Sequence, residues 1–69
     1  MRLIRTDINS ITFGESFTED PPMYLVRHDG CIDSGQFYSV PGLGLTFVPV
    51  AGDVYDFMPN EIWEIVDED

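Results

Sequence analysis

A chain of 69 residues with 13 carboxylates, three arginines and no lysine carries a formal charge of −10. That balance repels nucleic acid and anionic membrane and attracts basic surfaces, so direct nucleic-acid binding and membrane docking are not expected. The length allows a single domain, residues 1–69, with too little material for a deep catalytic cleft.

Apolar residues make up 43% of the chain and nine of its side chains are aromatic, enough to build a small core rather than a disordered coil. A charge of magnitude about 2–8 keeps a small domain in solution. The surplus beyond that asks for a function.

In chain order, turn-forming residues separate short runs rich in β-branched and aromatic side chains. The first strand is predicted at residues 3–8, ended by Asn9-Ser10, and the second at residues 11–17. Asp20-Pro21-Pro22 interrupts regular pairing before a third strand at residues 23–28. There, alternation sets Tyr24 and Val26 on one face and Leu25 and Arg27 on the other. Asp29-Gly30 is a type I′ hairpin signal. Strands at residues 36–40 and 43–50 follow around Pro41-Gly42. The second of these is apolar on both faces and reads as a central strand. Gly52-Asp53 is placed to close a hairpin onto a strand at residues 54–57. Residues 62–66 read as a closing strand, the alternative being a short helix begun by Asn60. The fold class is all-β, with about five to seven short antiparallel strands in a small barrel or compact sandwich. A short 3₁₀ or α turn is allowed near the C-terminus.

Charge is unevenly placed. Residues 34–52 carry none, and all three arginines precede residue 28. The acids Asp53, Asp56, Glu61, Glu64, Asp67, Glu68 and Asp69 then follow without a base. With Trp63 as an aromatic anchor among them, these residues form the expected partner-binding set. The partner they imply is a basic protein surface of the kind a nucleic-acid-binding protein presents. The rival expectation is a structural or adapter module that associates through sheet edges covered by the uncharged stretch.

Chemistry-bearing motifs are few. His28 and Cys31 flank the Asp29-Gly30 turn, but a nucleophile pair also needs an orienting group and an oxyanion site. One cysteine and one histidine fall short of a zinc site, and Asp67-Glu68-Asp69 lacks the spacing and glycine of a calcium loop. The acid pairs Asp53/Asp56 and Glu61/Glu64 sit in no pocket-forming sequence, and Gly42-Leu43-Gly44 is too short to cradle phosphate. No catalysis, metal or cofactor is expected. A lone cysteine and the lack of a basic-then-apolar leader pattern point to the cytoplasm.

From Arg27 to Asp67, the order of strand, Asp29-Gly30 turn, bent strands, a tight turn at Met58-Pro59-Asn60 and a closing strand resembles small SH3-like and Sm-like barrels. The resemblance implies a barrel; the RNA binding of Sm proteins does not carry over to an acidic chain. In size and charge the chain also resembles the small acidic inhibitors encoded by bacteriophages, DNA mimics and anti-CRISPR proteins among them. That likeness implies an inhibitor of a host or defence machine.

Overall fold

The computed structural model describes residues 1–67. Five strands form one antiparallel sheet: β1 Arg2–Thr6, β2 Tyr24–His28, β3 Cys31–Val40, β4 Gly44–Pro49 and β5 Glu61–Val66. Their order across the sheet is β1-β5-β2-β3-β4. The all-β class read from the turn rhythm is therefore what the chain adopts, and the closing element is a strand, not a helix. No helix among the described residues is long and apolar enough to cross a membrane.

The β2–β3 hairpin follows from two residues. Asp29 and Gly30 take φ of 45° and 81°, the left-handed pair a type I′ turn demands, and His28 and Cys31 come into register across it. Beyond the turn β3 serves two partners. Its first half pairs with β2 through Gly35, opposite Tyr24, and from Gly35 onward it pairs with β4. At that crossing the backbones come so close that a Cβ on Gly35 would lie 2.2 Å from the Val48 carbonyl oxygen. Only glycine fits there.

Pairing sorts the side chains by face, since residues directly opposite one another share a side. One face holds Tyr24, Val26, Phe37, Phe47 and Ile62, which form the buried core. Each large side chain withdrawn there from water stabilises the fold by roughly 1.5–3 kcal/mol. Rings account for much of it: Tyr24 meets Phe37 edge-on at 5.4 Å, and Phe37 meets Phe47 at 5.0 Å.

A single sheet leaves its core face open, and two connections cover it. Residues 50–60 leave β4 at one end of the order and must reach β5 on the far side of β2 and β3. They cross the core face, where Tyr55 and Met58 pack on it. This crossing is why the predicted strand at 54–57 and the Gly52-Asp53 hairpin do not form. The segment gives β4 one backbone hydrogen bond, Tyr55 N–H to Phe47 C=O at 3.0 Å, and then lifts away. Residues 58–60 form no helical turn, only a bend at Asn60.

The predicted strand at 11–17 is also absent. Ile11 packs against the core, Gly14 makes a single parallel bridge to Tyr38, and the chain then wraps to the opposite face. There Phe17 lies against Tyr38, ring centroids 4.9 Å apart. Gly14 exchanges backbone hydrogen bonds with Phe37 and Ser39, completing the flank of β3 that the short β2 cannot reach. Finally, β4 stands at the end of the sheet, not at its centre. Both its faces are nevertheless covered: Phe47 is buried in the core, and Thr46 is buried on the other side beside Tyr38. Double coverage by loops explains the doubly apolar sequence that reads as central.

Candidate docking surface

The acids after Gly52 do not act as one group. Glu61 and Glu64 lie three residues apart on β5, so the pleat sends them to opposite faces. Glu64 stands on the core side, opposite Ile4 and Tyr24. Glu61 stands on the other side, opposite Arg27, with its carboxylate 3.4 Å from Arg5 and 3.9 Å from Arg27. On that same face Arg5 pairs across β1–β5 with Trp63, its guanidinium carbon 5.2 Å from the ring centroid. Trp63 is thus a half-buried platform under an arginine. Asp67 is exposed, and Glu68 and Asp69 lie outside the described residues.

Asp53 and Asp56 are placed differently. Both are exposed on the crossing segment. Asp56 joins Leu43, Leu45, Thr46, Val54, Tyr55, Phe57 and Met58 in lining a groove of about 330 Å³ along the outer edge of β4. Leu43, Val54 and Phe57 are 71%, 51% and 46% exposed, an unusual display of apolar surface for so small a chain.

One wall of the groove is anchored to the β2–β3 hairpin. Tyr55 lies on Phe47 at 4.9 Å and meets the His28 ring edge-on at 4.6 Å. Phe57 stacks on Tyr55 at 5.3 Å and meets the same histidine at 4.9 Å. The Tyr55 hydroxyl donates to Asp33 Oδ2. Burial, that hydrogen bond and the negative charges of Asp33 and Cys31 all raise its pKa well above the usual tyrosine value, burial foremost. His28 Nε2 is 3.9 Å from the same Asp33 oxygen, while its Nδ1 is buried without a hydrogen-bond partner. Cys31 is exposed at the turn. The cluster's evident work is mechanical: an aromatic bracket that fixes residues 54–58 over the sheet.

Further acids line the wrap on the opposite face. Glu19 accepts the Glu15 amide, and Asp20 accepts the Gln36 side-chain amide at 2.8 Å. No metal-binding group of three or more His, Cys, Asp or Glu exists among the described residues.

Of the predicted partner-binding residues, the fold brings Glu61 and Trp63 together with two arginines, sets Glu64 on the other face, and places Asp56 in the wall of an apolar groove, with Asp53 next to its lining residue Val54. The groove itself escaped sequence reasoning. Its one trace was apolar Val54 and Phe57 alternating with Asp53 and Asp56. Comparison with protein-family models, with curated proteins and with solved structures finds no match to this chain.

Proposed function

We propose that this protein is an acidic binding module that docks on the basic surface of a partner, of the kind a nucleic-acid-binding protein uses to hold its ligand. One observation carries the reading. Arg5 and Arg27 both serve the single carboxylate of Glu61, so two of the chain's three arginines are spent on one of its thirteen acids. Acids such as Asp33, Glu19 and Asp20 accept hydrogen bonds from neutral donors, which leaves their negative charge unneutralised. A surface so charged speeds encounter with a cationic patch and loses its pull as salt rises. By occupying that patch the protein would act as an inhibitor, in the manner of a nucleic-acid mimic.

The test is capture from a nuclease-treated bacterial lysate on the immobilised protein at low salt. Proteins that elute as salt rises should bind DNA or RNA, and the free protein should compete with that nucleic acid. Elution of proteins whose nucleic-acid binding is indifferent to competitor overturns the reading.

A second reading has its own observation. β1 ends the sheet and is exposed along nearly its whole length, with Leu3 43% and Ile4 41% exposed. Residues 1–6 hold two arginines and no acid. In a chain of charge −10 this is where two copies can approach with least repulsion, pairing edge to edge about Ile4. Sedimentation at several concentrations tests it: a dimer lost on Ile4→Arg favours self-association, and a monomer throughout rejects it.

A further inference from the structure

We propose that the groove on the outer edge of β4 receives an apolar side chain from an extended, lysine- or arginine-bearing segment of the partner, with Asp53 and Asp56 meeting the flanking cations. This rests on the reading of the protein as a module for basic partners, and it names the place and the chemistry of the contact.

Size comes first. At about 330 Å³ the groove is at the small end of ligand sites and has room for one or two aliphatic side chains. Its walls are apolar, and three of them, Leu43, Val54 and Phe57, are left substantially uncovered by the fold. Its floor is fixed, because Met58 and Tyr55 pack on the core and Tyr55 is further held by Asp33 and His28. A preformed site of this kind loses little ordering entropy on binding.

Backbone geometry supplies the extended form. Phe47 turns its carbonyl outward to the Tyr55 amide, so the residue two positions earlier, Leu45, turns its backbone groups to the same side. Toward Leu43 the crossing segment has already lifted off, and that stretch of β4 edge faces the groove. An extended peptide laid there can add to the edge while its alternate side chains drop into the groove.

Charge chooses the partner. Asp56 lines the groove and Asp53 precedes its lining residue Val54. From residue 28 to the end of the chain there is no lysine or arginine to neutralise them. An acid in the wall of an apolar groove, with a second next to lining residue Val54, favours a segment that alternates cation and aliphatic side chain and repels an acidic one.

The experiment uses two short blocked peptides of equal charge, each with lysines on both sides of a central residue. That residue is leucine in one and serine in the other. Backbone amide shifts of the isotope-labelled protein report the site. The leucine peptide is expected to bind roughly tenfold or more tighter than the serine peptide, as burial of one leucine side chain implies. It should move the amides of Leu43, Leu45, Val54, Tyr55 and Phe57. Val54→Arg, an exposed position that the fold tolerates, should remove the leucine preference, and Asp53→Asn with Asp56→Asn should weaken both peptides. Equal affinities with shifts scattered over all the acids overturn the groove and leave the acidic docking reading standing. Leucine-peptide binding indifferent to salt and to the Asp variants overturns the charge half, and the docking reading with it. A wild-type dimer that Val54→Arg dissolves assigns the groove to a second copy and ends the proposal.

Discussion

Arg5 lies over the indole of Trp63, its guanidinium carbon 5.2 Å from the ring centroid, because the two are direct partners in the β1–β5 register. Position 5 is thus held by a ring beneath it and by the Glu61 carboxylate 3.4 Å away. The side chains of this ion pair are 57% and 34% exposed, so water screens much of their attraction. Arg5→Ala should lower stability by roughly 0.5–1 kcal/mol, from the stacked cation and a weak ion pair together. Trp63 is the chain's one tryptophan, and its fluorescence should shift to the red as the ring is uncovered. Urea unfolding followed by that fluorescence measures both effects, and an unchanged emission maximum refutes the stacking.

Glu61 and the pair Asp53/Asp56 should separate fold from docking. Glu61→Lys sets a third cation between Arg5 and Arg27, so it should destabilise the β1–β5–β2 face. Glu61→Gln removes the charge while keeping the shape, and should change affinity for a basic partner by no more than roughly twofold, because that carboxylate is already neutralised. Asp53→Asn with Asp56→Asn should weaken the same binding by roughly tenfold at low salt, with the difference shrinking as salt rises. Titration calorimetry at two salt concentrations decides between them. A larger loss from Glu61→Gln than from the Asp pair places the interface on the β5 face instead.

Gly35 is the most sensitive position in the sheet. Stability of a 69-residue domain is roughly 3–10 kcal/mol. Gly35→Ala drives a methyl group into the Val48 carbonyl, 2.2 Å from the ideal Cβ, with Pro49 Cα at 2.7 Å. Both obstacles are backbone, so β3 and β4 must part where β3 changes partner. The expected loss is about 3 kcal/mol or more, which removes much of the fold's margin. Gly30→Ala is the control. Its methyl group meets nothing within 4 Å, and only the φ of +81° resists it, for about 1 kcal/mol. Denaturation midpoints should rank Gly35→Ala well below Gly30→Ala; the reverse order contradicts the crossing geometry.

Local signals in this chain were legible and long-range ones were not. The Asp29-Gly30 turn and the alternation of Tyr24 and Val26 against Leu25 and Arg27 follow from neighbouring residues alone, whereas residues 62–66 allow a strand or a short helix and become a strand between β1 and β2. Residues 11–17 and 54–57 have strand-like composition, yet their conformation is set by what lies beneath them. Each covers a flank or face of the sheet that its strand partners leave open. The doubly apolar β4 was misread for the same reason, since loops and not strands cover it. On the surface, the ion pairs of Glu61 depend on the order β1-β5-β2, which brings Arg5 and Arg27 to either side of β5. No spacing in the sequence encodes that meeting.

Tyr55 carries a pH signature that tests the bracket over the core. Its hydroxyl donates to Asp33, and burial, the hydrogen bond and nearby negative charge together hold its pKa above the ordinary 10.0. The folded state therefore keeps a proton that the unfolded chain releases near that ordinary value. Stability from this group is fully present below pH 10.0, and it falls progressively as pH rises from there toward the raised folded value. Tyr55→Phe should be less stable than the wild type at neutral pH, since the hydrogen bond to Asp33 is gone. The gap should then narrow as the solution is made alkaline, because phenylalanine has no proton to lose. Urea midpoints for the two proteins, taken from neutrality to above pH 10.0, measure that narrowing. Parallel curves across the alkaline range show that Tyr55 keeps no such proton in the fold. The hydroxyl would then not anchor the groove wall, and the wall would stand on the rings of Phe47, His28 and Phe57 alone.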